Sequence, residues 1–116
     1  MKRRFRLTRS TDFKRVRRSG RSYAHPLLVL YAVKSDQPDV RVGLSASATI
    51  GNAVRRNRAK RLLREAMARL LPLTLPGTEL LLIARSALPE ADLLQTHQAL
   101  ETLLTRAGLL IAVHDS

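Results

Sequence analysis

Apolar positions along this 116-residue chain fall into short patterned runs divided by breaker residues. Residues 10–19 set Phe13 and Val16 on one side of a short helix, with Ser10 or Thr11 as the N-cap, Asp12 placed for the helix dipole and Gly20 as the stop. Residues 27–33 and 40–46 are two runs rich in strand formers, and the turn-like residues 35–39 between them predict an antiparallel hairpin. Residues 23–26 read equally as an extra edge strand or as the entry to that hairpin. From 52 to 71 the period is helical: at about 100° per residue, Ala59, Leu62, Leu63, Ala66, Met67 and Leu70 share one arc. Pro72, Pro76 and Gly77 end it, and the apolar run over 79–84 reads as a buried strand. A last helix starts near residues 89–92, with proline and acids in its first turn, and stops at Gly108; its apolar stripe is Leu93, His97, Leu100, Leu104 and Ala107.

The order α-β-β(-β)-α-β-α predicts an α/β (α+β) sandwich in which helices cover a small mixed sheet. Residues 1–116 read as a single basic domain with a basic N-terminal tail over about 1–9 and a short C-terminal tail over about 109–116, without internal repeats or low-complexity tracts. A chain of this length buries roughly two-thirds of its unfolded surface, enough for a modest core. Without cysteine it has no disulfide, thiolate metal site or thiol nucleophile, which suits a reducing compartment. No apolar stretch of secretory length follows the basic start, and the Arg-rich leader is not read as a transit peptide because Asp12 and Phe13 fall in the first helix. The region 70–84 is too interrupted to supply the roughly 20 apolar residues of a membrane span. The expected setting is cytoplasmic, with no membrane partner.

Charge changes the picture most. The formal net charge is +12, and residues 1–22 and 52–71 together hold 17 of the 21 Lys and Arg. A protein that is merely soluble mixes its signs, whereas one sign concentrated on two elements produces a field that draws in a polyanion. Arg outnumbers Lys by 17 to 4, and the planar guanidinium forks onto phosphate and stacks on bases. With aromatic content at 3%, stacking platforms are few, so charge does most of the attracting. On the central helix Asn57, Lys60, Arg61 and Arg64 form an i, i+3, i+4, i+7 ridge, with Arg58 beside it and Arg55 and Arg56 nearer its margins. Only Glu65 offers compensation within that helix, so a bound polyanion would relieve the repulsion. Nucleic acid is therefore the expected partner. A membrane-surface helix would expose its apolar face, which this one needs for the core.

The sixteen residues IGNAVRRNRAKRLLRE at 50–65 resemble the signature of the bacterial ribonuclease P protein subunit, whose Arg-Asn-Arg motif would be Arg56, Asn57 and Arg58. RLTRSTDF at 6–13, followed by Val16, Ser19 and Gly20, is similar to the family's N-terminal helix, and RVGLS at 41–45 to its strand before the motif. The resemblance covers roughly residues 5–110 and implies a ribosomal protein S5 domain 2-like fold with a left-handed βαβ crossover. It also implies a protein cofactor for a catalytic RNA. The holoenzyme, a ribonucleoprotein endoribonuclease, hydrolyses precursor tRNA to remove the 5′ leader, and the RNA carries the chemistry and most of the Mg²⁺. Arg56, Asn57, Arg58, Lys60, Arg61 and Arg64 are carried over as contacts to ribonuclease P RNA, positioned by shape and phosphate. A second site, the cleft between N-terminal helix and sheet, would take the single-stranded leader, with Phe13 and Tyr31 packing on bases and Lys14, Arg17 and Arg18 drawing in the backbone. From pattern alone, Phe13 reads as core and Tyr31 as an ordinary strand residue. The sequence departs from the family at Arg17, where many members carry a second aromatic, and at Ala48 and Thr49, where they carry basic residues. Leader contacts here should lean on charge more than on stacking.

No catalytic residue or protein-held metal is expected. His25 precedes Pro26 in a loop, His97 lies on a helix stripe and His114 in the C-terminal tail, while Glu90, Asp92 and Glu101 suit helix-start and surface roles. DNA is not an expected partner. The alternative function is a structural RNA-binding protein of ribosomal type.

Overall fold

In the computed structural model, which describes residues 2–111, the chain runs α1 (Ser10–Ser19), β1 (Arg21–Ala24), β2 (Leu28–Lys34), β3 (Arg41–Ser45), α2 (Ala53–Leu70), β4 (Thr78–Ala84) and α3 (Leu93–Arg106). The four strands form one sheet in the order β1-β2-β4-β3, antiparallel except for the parallel pair β3 and β4. This is the mixed α/β architecture the element order predicts. Residues 23–26 resolve in favour of the extra strand: β1 pairs with β2 in register Tyr23 to Leu30, and His25 N–H closes the turn onto Leu28 O at 2.9 Å.

The hairpin expected between β2 and β3 is not formed. β4 lies between them, and it does so because its leucine run is apolar on both faces, which suits a central strand flanked on both sides. The turn-like residues 35–39 instead dock on the loop that enters β4, with Ser35 N–H donating to Gly77 O at 2.8 Å and Gly77 N–H to Pro38 O at 3.2 Å.

Two cores result. Leu28, Leu30, Val42, Leu80 and Leu82 point to one face, where the predicted arc of α2 and the apolar side of α3 cover them. Each fully buried leucine contributes about 1.5–3 kcal/mol through apolar area removed from water. The opposite face carries a smaller cluster of Leu7, Val16 and Leu81 beneath α1, with Phe13, Tyr31, Val33 and Ile83 packed around it. The stripe of α3 is rotated from its expected position. Thr96, Ala99, Leu100, Leu103 and Leu104 are the buried residues, and His97 is half-buried at the margin. Thr96 can face the core because its hydroxyl is satisfied locally, donating to Asp92 O at 2.8 Å.

The helix ends show which local rules applied. α2 starts on Asn52, whose side chain accepts from Arg55 N–H at 3.0 Å. α3 starts later than expected: Leu88, Pro89 and Glu90 form a separate 3₁₀ turn, and Asp92 with Gln95 makes a reciprocal capping box. α1 has no side-chain cap, because the helix already begins at Ser10 and Arg9 occupies the flanking position. Gly20 does stop α1, though with φ of −83° rather than in the left-handed region. Its need for glycine is close approach: a Cβ there would lie 2.5 Å from Val16 O and 2.9 Å from Ala32 O, so α1 turns directly into β1 against β2.

Neither end is a free tail throughout its described part. Leu7 is buried, its N–H donating to Val42 O at 2.8 Å, and Arg6 pairs with Val42 in a parallel bridge that extends the sheet beyond β3. Leu109 O accepts from Leu75 N–H, and Ile111 N–H donates to Leu73 O, both at 2.7 Å. His114 and the rest of the expected C-terminal tail beyond residue 111 lie outside the described residues.

Candidate nucleic-acid interface

Strand alternation decides which side chains line the α1 face. Tyr31, Leu81 and Gly43 are aligned across β2, β4 and β3, and the next row toward the strand ends is Val29, Ile83 and Ser45. Phe13 lies flat against Gly43, where an added Cβ would be 2.7 Å from Phe13 Cε1, so the glycine is what lets the ring reach the sheet. One turn further along α1, the Arg17 guanidinium carbon stands 5.9 Å from the centre of the Tyr31 ring. Val29 and Ile83, both half-buried, form an apolar floor beside these rings, and Lys14 and Arg18 are exposed on the outer side of α1. The five residues predicted for the leader cleft are thus split. Phe13 and Tyr31 touch the sheet face, Arg17 bridges to it, and Lys14 and Arg18 stand above it. Val29 and Ile83 escaped sequence reasoning, although strict alternation along β2 would have put Val29 on the same face as Tyr31.

α1 is held over the sheet by charge. Arg15 donates from Nη1 to Glu79 Oε1 at 2.7 Å and from Nη2 to Glu79 Oε2 at 3.1 Å, and Nη2 also reaches Asp12 Oδ1 at 3.1 Å. Arg41 Nη1 approaches the same carboxylate at 3.5 Å. The Glu79 side chain is 4% exposed, so a buried carboxylate on the central strand is matched by two guanidinium groups. The hydrogen bonds to Glu79 and then to Asp12 hold the Arg15 guanidinium above its ordinary range. Among the bases of α1, Arg15 is therefore committed to the fold.

α2 divides its cations between two flanks. Arg56, Lys60 and Arg64 follow one another at i, i+4, i+8 on the side toward β3, with Asn57 and Arg61 exposed next to them. The Nε atoms of Arg56 and Arg64 are buried without a hydrogen-bond partner among the described residues. Such a donor is costly unless something accepts from it, and a bound anion would. Arg58 turns to the other flank, where Nε donates to Pro89 O at 2.7 Å and Nη2 to Ala91 O at 3.0 Å. It ties α2 to the loop before α3. Arg55 is engaged as well, with Nε on Ile50 O at 3.1 Å and an ion pair to Glu90 at 2.6 Å. The six positions predicted on α2 are thus not equivalent: Arg56, Asn57, Lys60, Arg61 and Arg64 share one surface, and Arg58 stands apart from it.

Around the outer edge of β3, Arg6 of the N-terminal segment and Lys60 and Arg64 of α2 line a common hollow. A basin of about 460 Å³ lined by Arg3, Arg4, Arg6, Arg9, Arg41 and Asp12 continues the basic surface along the N-terminal segment. A hollow of about 450 Å³ between His25 and α3 is different in kind. Its lining contains Glu90, Gln95 and Gln98 and no Lys or Arg, so it lies off the cationic face. Glu90 and Asp92 serve the Arg55 pair and the α3 cap, and among the described residues no group of three or more His, Cys, Asp or Glu is placed to hold a metal ion. Among the same residues, no helix is long and apolar enough to cross a membrane.

Comparison with known proteins converges on one family. The Ribonuclease P family model matches residues 1–108. The chain is 40% identical over 107 residues to the ribonuclease P protein component of an Exiguobacterium species, covering 92% of this chain and 93% of that protein. It is 39% identical to the Herpetosiphon aurantiacus component over 94% of this chain and 89% of that protein. Among solved structures, the Staphylococcus aureus RNase P protein superposes with a TM-score of 0.83 at 31% identity, covering 91% of this chain and 97% of that one. The Thermotoga maritima protein superposes at 0.78 and 28% identity, covering 87% and 96%.

Proposed function

The chain belongs to the bacterial ribonuclease P protein family, and on that premise we propose that it binds ribonuclease P RNA through α2 and the 5′ leader of precursor tRNA through the cleft under α1. The observation that carries this reading is the continuous cationic surface from Arg56, Lys60 and Arg64 around the β3 edge to α1, together with the buried, unpartnered Nε atoms of Arg56 and Arg64. Guanidinium forks suit phosphate oxygens and fix the register of a folded RNA by shape. The leader site combines an apolar floor with few rings. Arg17, where relatives of the family carry an aromatic, lies over Tyr31 and offers a flat cation on which a base can stack.

In this reading the protein positions and the RNA reacts: 5′-leader hydrolysis to the mature tRNA end takes place in the cytoplasm at phosphates and Mg²⁺ organised by RNA. Among the described residues no three acids or histidines are grouped to hold Mg²⁺, and four of the carboxylates have other partners. Asp12 and Glu79 are bonded to Arg15, Glu90 to Arg55, and Asp92 to its own helix cap. The protein's contribution is to hold leader and catalytic RNA on adjoining surfaces, neutralising charge that would otherwise keep them apart.

The division of labour on α2 gives the test. Arg61→Ala should weaken binding of ribonuclease P RNA by about 1 kcal/mol or more while changing stability by no more than about 0.5 kcal/mol. Arg58→Ala should do the reverse, lowering stability by about 1.5–3 kcal/mol through the lost bonds to Pro89 O and Ala91 O. Filter binding and urea denaturation on the two variants separate these effects. Unchanged RNA affinity in a well-folded Arg61→Ala, Arg64→Ala double variant would remove α2 from the interface.

A further inference from the structure

We propose that the hollow at the outer edge of β3, between the N-terminal segment and α2, receives one unstacked nucleobase of the bound RNA; the proposal rests on the RNA-binding reading above and adds a site to it. The hollow measures about 140 Å³ and has two kinds of wall. Leu7 and Phe13 from the α1 side and Val42 and Leu44 from the α2 side give it apolar lining around the strand edge, and Arg6, Lys60 and Arg64 line it as well.

The fold explains why it is open. The N-terminal segment bridges β3 at Arg6 and Val42, lays Leu7 against Gly43 and then leaves for α1, while Leu44 further along the edge stays half-buried. Phe13, laid on Gly43, forms one side. Lys60 and Arg64, one turn apart on α2, form the other.

The chemistry of the lining selects the occupant. A free phosphate would need the three cations but not the leucines and the ring, and an apolar protein side chain would need the apolar lining but not the cations. A nucleotide uses both, its base against Phe13 and Leu44 and its phosphates on Arg6 and Lys60. Arg64 lines this hollow too and brings a third cation to it. The volume is less than half the roughly 300 Å³ at which pockets for drug-sized ligands begin, which suits a single planar ring. Phe13 is shared with the leader cleft, so a base seated here would lie between the leader path and the α2 surface.

The test is a methyl NMR titration of the full chain with a short single-stranded oligoadenylate, set against inorganic phosphate at matched ionic strength. The oligonucleotide should shift the methyl signals of Leu7, Val42 and Leu44 by ring currents, and phosphate should leave them in place. Leu44→Trp, which fills the hollow with the protein's own ring, should abolish the shifts at Leu7 and Val42 and weaken binding of ribonuclease P RNA about tenfold, the loss of one stacked base. Shifts confined to Val29 and Ile83 in the leader cleft would overturn the proposal and leave the RNA-binding reading standing. No shifts at either group would remove both. Equal shifts with phosphate would mean an anion site and no base pocket.

Discussion

Arg15→Ala should lower the stability of the isolated protein by about 3 kcal/mol, the low end of the range for stripping one partner from a buried ion pair. The reason is asymmetry. Arg15 is 45% exposed, but Glu79 is 4% exposed, and without Arg15 its carboxylate retains only Arg41 at 3.5 Å. Glu79→Gln should cost less, since the amide leaves no buried charge behind and Arg15 remains solvated. Arg17→Ala, two residues along the same helix, should be nearly neutral. Urea unfolding of the three variants checks the order. Equal stability for Arg15→Ala and wild type would mean that α1 is held by Val16, Phe13 and Leu7 alone. The clamp also fixes where Phe13 and Arg17 stand, and so bears on the leader cleft we propose under α1.

The second large effect is the response to salt. The cations we propose to face RNA are Arg56, Lys60, Arg61 and Arg64 on α2, with Lys14, Arg17 and Arg18 on α1. If six or more of these displace counterions from phosphate, affinity for the RNA should fall on the order of a thousandfold between 50 and 200 mM monovalent salt. Arg61→Ala should make the slope of log affinity against log salt shallower by about one. Arg15→Ala should leave that slope unchanged, because Arg15 is spent on Glu79 and Asp12. A nearly flat salt dependence would contradict an electrostatic interface.

Much of the fold was legible where one local rule acted alone. The apolar arc of α2 from Ala59 to Leu70 is buried as its period predicts, and residues 10–19 form α1 with those boundaries. Errors came where long-range pairing overrode local pattern. The stretch 35–39 has good turn chemistry, yet the hairpin it suggests does not form, because β4 needs two neighbours and takes a place between β2 and β3. Counting faces of the apolar run over 79–84 would have exposed the conflict. The apolar period of α3 puts His97 on its stripe, whereas Thr96 takes the buried place by bonding its hydroxyl to Asp92 O. At the candidate site, spacing could show that α2 carries a cationic ridge, but not that Arg58 would find two carbonyls on its other flank or that Arg15 would find Glu79, 64 residues away. Those pairings are set by tertiary approach and leave no local signal. The hollow at the β3 edge belongs to the same class, since its walls come from four separate segments.

The role we propose for this protein is to assist an RNA enzyme rather than to cut RNA itself. Its most direct test is 5′-leader removal from a precursor tRNA at low Mg²⁺, measured with a bacterial ribonuclease P RNA alone, this protein alone, and both together. Cleavage at the mature 5′ end only in the combined reaction is the predicted result. Cleavage by the protein alone, or tight RNA binding with no gain in cleavage, would contradict it.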